Sequence, residues 1–385
     1  MKKVVFLGVL IVLLSLTACG GTGEFAMPDL GGAAGVVDAS GETLQDAPIL
    51  EDSQPQAAGD AGASQRIVLP EPTGQIAFVS NRDGTSNVYV MSADGSQQLL
   101  LTDVLAEDHF PAWSPDGSKV AFVSTVNNNT DIYVANTNGS GIFRLTEHAA
   151  KDDAPSWSPD GTRIAFESFR DGNMEIYVVN ANGSNLVRLT NHEKADTSPV
   201  WSPSGERIAF VSGRDGNSSI YVINVDGSNL LRVTNGDISF SDPAWSSNGT
   251  MLVFRRWESA GLGDICIVTP GMVETKCFTA YQETGIPAWS PDGTKVAYRV
   301  KDRGNWVIEI ANIYDEGKYQ LLPNHELKSD PVWSPDGNWI GYQVDTGSNM
   351  DIVIKRANAD DGGEERQLTT SGAYDGEIAW LWPQN

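Results

Sequence analysis

The feature that most constrains this chain is a tryptophan that returns every 44 residues. Six tryptophans keep this spacing: Trp113, Trp157, Trp201, Trp245, Trp289 and Trp333. Five of them open the motif W-S-P-[DS]-G, and Trp245 opens the variant W-S-S-N-G. A seventh copy, Ile378-Ala379-Trp380, ends 47 residues after Trp333. A period of about 40–45 residues is typical of β-propeller blades, each of which is a four-stranded sheet.

One copy of the repeat predicts four short strands: 155–158, 163–168, 175–180 and 186–190. Pro159-Asp160-Gly161 and Asn182-Gly183 are turn sequences, because proline fixes φ and glycine permits a positive φ. A four-stranded meander cannot bury both of its faces alone. The copies must therefore stack against one another.

The number of blades follows from the second strand of each copy. Seven such strands occur, and in chain order they define blades 1 to 7. They are Ile76-Ala77-Phe78, Val120-Ala121-Phe122, Ile164-Ala165-Phe166, Ile208-Ala209-Phe210, Leu252-Val253-Phe254, Val296-Ala297-Tyr298 and Ile340-Gly341-Tyr342. The series begins with a second strand and ends with the first strand at Trp380. We expect these two strands to pair and complete blade 1, because closure removes the exposed sheet edges of an open ring.

The predicted fold class is therefore all-β: a seven-bladed β-propeller of four-stranded antiparallel blades over residues 75–382. This span is 308 residues long, which equals seven repeats of 44. An open array, or six blades with unpaired ends, is the alternative.

The first 72 residues are predicted to lie outside this fold. Lys2 and Lys3 precede the apolar run 4–14, as in an export signal. Leu16-Thr17-Ala18-Cys19 then resembles a bacterial lipobox, which predicts a signal peptide over 1–18 and a lipidated Cys19; an ordinary secretory signal is the alternative. Residues 19–72 are small and polar, and they predict a disordered tether. We expect contact with the membrane through the lipid anchor only, facing away from the cytoplasm.

The formal net charge of −24 bears on the choice of partner. Nucleic acid is not expected as a partner, because a phosphate backbone would be repelled. A basic peptide, an envelope protein or a divalent cation fits this charge better. We expect the protein to be a monomer.

The repeat as a whole resembles the TolB-type, WD-like propeller family. The shared pattern is P-A-W-S-P-D-G, then I-A-F-x-S, R-D-G-N-x-x-I-Y-V, N-G-S and R-L-T. The resemblance implies a fold found in TolB of the Tol–Pal envelope system, in prolyl-oligopeptidase-like peptidases and in oligogalacturonate lyases. It does not indicate TolB itself, which has six blades behind an α/β domain. No G-x-S-x-G nucleophile motif is present, so we expect a propeller without a peptidase domain.

Acidic residues recur in the loops that precede the Trp strands, here called the approach loops. Each lies five or three residues before the tryptophan of its copy: Asp108, Asp152, Asp196, Asp242, Asp330, Asp375 and Glu377. If they surround the channel mouth, they could bind Ca²⁺ or the Lys and Arg side chains of a partner. The alternative is that each aspartate caps its own turn. No other cofactor is predicted.

Histidines are weaker candidates, for a metal site like the one that the lyase resemblance implies: His109, His148, His192 and His325. Because their copies lie on different blades, isolated surface histidines are the alternative. Convergence of three or more would favour an enzyme.

Three further groups of residues are candidates for partner contact, core packing or a disulfide. The hairpins that begin at Arg82, Arg170 and Arg214 carry R-D-G, in which the arginine is a candidate partner contact. Three tryptophans outside the repeat position are candidate contact or core residues: Trp257, Trp306 and Trp339. Cys266 and Cys277 flank one hairpin and are a candidate disulfide pair.

The favoured function is a non-enzymatic protein- or peptide-binding module that uses an acidic loop face at the channel mouth. One alternative is a metal-dependent carbohydrate lyase or hydrolase that uses the channel. Others are the propeller partner of a separate peptidase and a purely structural envelope protein.

Overall fold

The structure is a computed structural model. It describes residues 70–103, 107–257, 262–272, 274–279, 282–315, 317–321, 326–347, 349–358 and 363–381. The predicted signal peptide, Cys19, nearly all of the predicted tether and His325 lie outside these residues. Within them, no helix has the length and apolar character needed to cross a bilayer.

The described residues form seven antiparallel sheets of four or five strands. The innermost or first strands contain the repeating tryptophan: Glu107–Trp113, Asp152–Trp157, Asp196–Trp201, Ser239–Trp245, Ala288–Trp289, Val332–Trp333 and Asp375–Trp380. The second strands contain the three-residue sequences by which blades 1 to 7 were defined. They are Gln75–Ser80, Lys119–Val126, Arg163–Ser168, Arg207–Asp215, Leu252–Trp257, Lys295–Asp302 and Trp339–Asp345.

The outer strands complete each sheet. The third strands are Asn87–Ser92, Asn129–Asn136, Glu175–Asn180, Asn217–Asn224, Leu262–Val268, Asn305–Asn312 and Met350–Arg356. The fourth strands are short: Leu99–Leu100, Phe143–Arg144, Val187–Arg188, Leu231–Arg232, Thr275–Cys277, Lys318–Leu321 and Glu365–Gln367. Two further short strands, Gln282–Glu283 and Glu326–Leu327, pair with the third strand of blade 5 and the second strand of blade 7.

The C-terminal strand closes the ring. Ile76 pairs with Trp380 and Ser80 pairs with Asp375, so the last first-strand completes blade 1 as predicted. The seven-bladed fold is thereby confirmed.

Burial between adjacent blades holds the ring together. Seven apolar clusters each join two neighbouring blades, and one of them joins blade 7 to blade 1. In that cluster Trp339 is fully buried against Ile76 and Phe78, so it is a core residue. Apolar burial of this kind is the main favourable contribution to folding.

The tryptophan period has a structural cause. The indole N–H of Trp157 donates to the carbonyl of Ala112 in the preceding blade at 3.0 Å, and Trp289 donates to Ala244 at 3.0 Å. The same bond recurs at Trp113, Trp245 and Trp333. In five of the seven blades the repeating tryptophan therefore bonds its blade to the preceding one.

Candidate functional site

The approach loops and the R-D-G hairpins meet on one face of the ring. In three blades the aspartate five residues before the tryptophan has no exposed surface, and it pairs with the hairpin arginine of the same sheet. The N–O distances are 2.8 to 2.9 Å, in the pairs Asp375–Arg82, Asp152–Arg170 and Asp196–Arg214. These aspartates are internal ion-pair partners, so they are not open to an incoming ligand.

Aromatic rings hold the arginine of each pair. In blade 4 the Arg214 guanidinium lies 4.8 Å from the Tyr221 ring centroid, and the Tyr221 hydroxyl donates to Asp215. Burial and the Asp215 carboxylate raise the pKa of Tyr221 to about 12. Blades 1 and 3 repeat this arrangement. The hairpin arginines, predicted as partner contacts, are used inside the blade instead.

Blade 2 keeps the aspartate but lacks the arginine. Val126 stands where Arg82 stands in blade 1. Asp108 is completely buried, and neither carboxylate oxygen has a hydrogen bond of good geometry to a described residue. Burial raises the pKa of Asp108, although the nearby Ser124 and Thr102 hydroxyls oppose this shift.

A β-bulge shapes the first strand of blades 1 to 5. The residue three before the tryptophan has a positive φ: Phe110, Ala154, Ser198, Asp242 and Glu377. The pairing with the second strand shifts register at the same point. Glu377 bridges blades 1 and 2, because it accepts the Phe110 N–H at 2.8 Å and lies 2.9 Å from Nδ1 of His109.

A cleft of about 490 Å³ opens on this face across blades 5, 6 and 7. Its walls come from the approach loops and from the second and third strands: Asp242, Arg255, Glu283, Thr284, Gly285, Ile286, Arg299, Trp306 and Asp330. Two of the predicted acids, Asp242 and Asp330, and the predicted contact residue Trp306 are brought together here.

Arg299 organises one wall of the cleft. It lies 3.2 Å from Asp330, donates to the Lys328 carbonyl at 3.0 Å, and stacks 4.4 Å from the Trp306 ring. Burial raises the pKa of Asp330, and the Arg299 charge opposes this shift. Gly285 is required at this contact, because a Cβ there would lie 1.8 Å from Oδ1 of Asp330.

The cleft also retains polar groups without partners among the described residues. They are Nε of Arg255 and the hydroxyl of Thr284, together with Nε of Arg299 and Oδ1 of Asp330, which face each other at 3.2 Å without hydrogen-bond geometry. Thr284 is only 3% exposed. Buried polar groups in native proteins are nearly always satisfied. Unpartnered buried atoms also occur at Asp108, Asp196 and Trp201, but in the cleft several of them lie on the walls of one cavity.

Sequence reasoning missed Arg255 and Arg299, although a signal was present. Both follow the aromatic residue of the second strand, where blades 1, 2 and 4 have Val79, Val123 and Val211. Arg255 and Arg299 lie 44 residues apart, and each places a charged side chain where blades 1, 2 and 4 have valine. This departure from the repeat is the signal that could have identified them.

The predicted histidines do not share a site in the described structure. His109 binds Glu377, while Nδ1 of His148 and of His192 accepts the backbone N–H two residues later, at 3.1 Å in each case. Among the described residues no group of three or more His, Cys, Asp or Glu is placed to hold a metal ion. Calcium binding by the approach loops stays a prediction.

Blade 5 contains the only cysteines of the described region. Cys266 and Cys277 lie opposite each other on the third and fourth strands and are joined by a disulfide. Trp257, at the end of the second strand, is half-buried.

Comparison with known sequences decides the family. The family model for the TolB beta propeller domain matches residues 70–153 and 147–280, which together exceed half of the chain. The chain belongs to the TolB-type β-propeller family. Among curated proteins, no sequence matches this TolB-type propeller significantly.

Solved structures share the fold at low identity. TolB from Acinetobacter baumannii is 23% identical over 67% of this chain, with a TM-score of 0.54, and the match spans 65% of that protein. An oligogalacturonate lyase in complex with manganese is 14% identical over 74% of this chain and 86% of its own, with a TM-score of 0.63. A prolyl endopeptidase is 12% identical over 78% of this chain and 50% of its own, with a TM-score of 0.59. At these identities the likeness establishes the fold alone.

Proposed function

We propose that this TolB-type propeller is a non-enzymatic binding module, which holds a segment of another protein in the cleft across blades 5, 6 and 7. The observation that carries the proposal is the set of unpartnered polar groups in that cleft. Leaving a buried donor or acceptor unpaired costs about 1–3 kcal/mol, so a ligand that reaches and pairs with it can recover part of that cost on binding. The volume of about 490 Å³ suits a few residues of an extended peptide.

The proposed partner is a peptide or an envelope protein, and the protein itself is proposed to act as a monomer. The net charge of −24 favours a partner with basic residues, since long-range attraction speeds their encounter. The four buried aspartates contribute to this charge, but direct contacts are proposed for Asp242 and Asp330 only.

The proposed location is outside the cytoplasm, on a lipid anchor at Cys19. Support comes from the lipobox-like Leu16-Thr17-Ala18-Cys19 and from the disulfide, which is typical of oxidising compartments. Replacing the cysteine (Cys19→Ser) should move the protein from the membrane fraction to the soluble fraction. Continued membrane attachment of this variant would refute the anchor.

Site-specific photo-crosslinking tests the binding function. A photoreactive amino acid at Trp306 should capture one discrete partner in intact cells that make the protein, and an excess of unlabelled protein should compete with the capture. The control position is Glu206, which is exposed at the opposite end of the second strands. Equal capture at both positions, or none at Trp306, would contradict the proposal.

A further inference from the structure

The charges that line the cleft are not all accounted for by contacts within the protein. Arg299 pairs with Asp330 at 3.2 Å, and Lys301 beside the cleft pairs with Glu283 at 3.0 Å. Arg255 and Asp242 are left over from this pairing.

Nε of Arg255 is buried without a hydrogen-bond partner among the described residues, and no ion pair is formed with them within 4 Å, although the Arg255 charge acts at longer range to lower the pKa of Asp330. Arg255 is half-buried on the second strand of blade 5, where its backbone pairs with Ser241. A guanidinium that is partly removed from water favours a carboxylate, with which it can form two parallel hydrogen bonds. This group therefore selects for a negative charge in the ligand.

Asp242 supplies the opposite charge. It lies at the bulge of the same strand pair, with φ at 56°, and it accepts one hydrogen bond, from the neighbouring Ser241 hydroxyl at 2.7 Å. The bulge acid of blade 1, Glu377, is already bound to His109 and Phe110, whereas Asp242 has no ion pair with a described residue. This group selects for a positive charge in the ligand.

We propose that the cleft binds a peptide segment that carries one carboxylate and one cationic group, with Arg255 holding the carboxylate and Asp242 the cation. This inference rests on the proposed binding function and adds the chemistry of the ligand. A polyanionic sugar fits less well, because Asp242, Asp330 and Glu283 share the cleft walls and would repel its further charges. A purely basic peptide fits less well, because Arg255 and Arg299 would repel it.

The remaining lining groups suit a peptide backbone. The unpartnered hydroxyl of Thr284, and the Asp330 carboxylate beside its contact with Arg299, can accept backbone N–H groups. Trp306 offers a half-buried aromatic surface next to them, on which a side-chain stem can lie.

The test uses fluorine NMR of the full protein labelled with 5-fluorotryptophan, in which the Trp306 resonance is assigned with the variant Trp306→Phe. The main probe is acetyl-Gly-Lys-Gly-Asp-Gly-amide. Comparison probes are its two-lysine and two-aspartate analogues, acetyl-Gly-Lys-Gly-Gly with a free carboxyl end, and trigalacturonate. The free-end probe distinguishes a terminal carboxylate from a side-chain carboxylate.

The mixed-charge peptides should shift the Trp306 resonance at concentrations at least about tenfold lower than either single-charge peptide. Arg255→Met and Asp242→Asn should each weaken this binding by about tenfold, and Arg255→Lys should weaken it less. The control Arg207→Met, at the opposite end of the second strands, should bind as the unmodified protein does.

Equal binding of all peptides, or an Arg255→Met variant that binds normally, would overturn the charge-pair inference. Tighter binding of trigalacturonate than of the mixed-charge peptides would also overturn it, in favour of an acidic-sugar site. The crosslinking experiment at Trp306 is an independent test. If it captures a partner but the peptides show no charge preference, the binding function stands and only the proposed chemistry of the ligand is overturned.

Discussion

Blades 1, 3 and 4 and blades 5 to 7 build the same four-stranded sheet but use their charged residues differently. In the first group Asp375, Asp152 and Asp196 are paired with hairpin arginines. In the second group the corresponding positions hold Phe240, Thr284 and Lys328, and the hairpins lack R-D-G. The regular blades thus pair their buried aspartates with their own arginines, whereas blades 5 to 7 leave Arg255 and Asp242 without an ion pair among the described residues.

The largest expected effect comes from the same substitution made in both groups. Arg214→Met leaves Asp196 buried without its charge partner and should lower the free energy of unfolding by about 3 kcal/mol. Arg255→Met removes no ion pair with a described residue and should change it by less than about 0.5 kcal/mol. Urea denaturation of the two variants measures the difference. Equal losses would break the distinction between the two groups of blades.

The disulfide is expected to stabilise blade 5, which belongs to the irregular group. Cys266→Ser combined with Cys277→Ser should destabilise the protein by about 2 kcal/mol, because the unfolded chain regains the entropy of an 11-residue separation. Hydrogen exchange should accelerate in blade 5 and stay unchanged in blade 3. Uniform acceleration around the ring would show that the disulfide supports the whole propeller instead.

Blade 2 allows a test in which the expected change in stability has the opposite sign, because its buried Asp108 has no arginine partner. Asp108→Asn should stabilise the protein by about 1 kcal/mol near pH 7, because it removes a carboxylate that burial disfavours. The pKa of Asp108 is raised in the folded state, so its penalty grows as pH rises above the unfolded value of about 3.9 and vanishes below it. The gain should therefore disappear below about pH 4 in thermal melts. The control Asp152→Asn should destabilise at neutral pH, and a gain there would contradict the account.

Within the regular blades, the hydrogen bond of the repeating tryptophan can be separated from the packing of its ring. Trp157→Phe removes the bond to the Ala112 carbonyl and should cost about 1 kcal/mol for that bond. The indole N–H of Trp201 is buried without a partner among the described residues, so Trp201→Phe should cost less. A larger loss at Trp201 in thermal unfolding would mean that ring packing, and not the hydrogen bond, fastens the blades.

The fold was predictable because the residues that repeat every 44 positions are residues that pack locally. The 44-residue spacing, the turn glycines and the pairing of Ile76 with Trp380 all follow from counting strands. The alternative of six blades fails because the last copy supplies the strand that blade 1 needs.

The site was only partly predictable. Asp242, Asp330 and Trp306 are among the predicted residues, but so are Asp152, Asp196 and Asp375, which are buried against arginines. The sequence lists an aspartate and an arginine in each such copy without showing that the hairpin folds one onto the other. Asp242 and Asp330, three residues before the tryptophan, line the cleft, whereas the acids five residues before it are buried, and the spacing alone does not show which of the two positions faces inward.

Hydrogen exchange of the full protein with and without the mixed-charge peptide acetyl-Gly-Lys-Gly-Asp-Gly-amide tests whether the irregular blades bind the ligand. Binding in the cleft should slow exchange in residues 282–289 and 299–306. It should leave the hairpins 80–87, 168–175 and 212–219 unchanged. Protection confined to those hairpins, or spread evenly over all blades, would contradict the claim that the irregular blades hold the binding site.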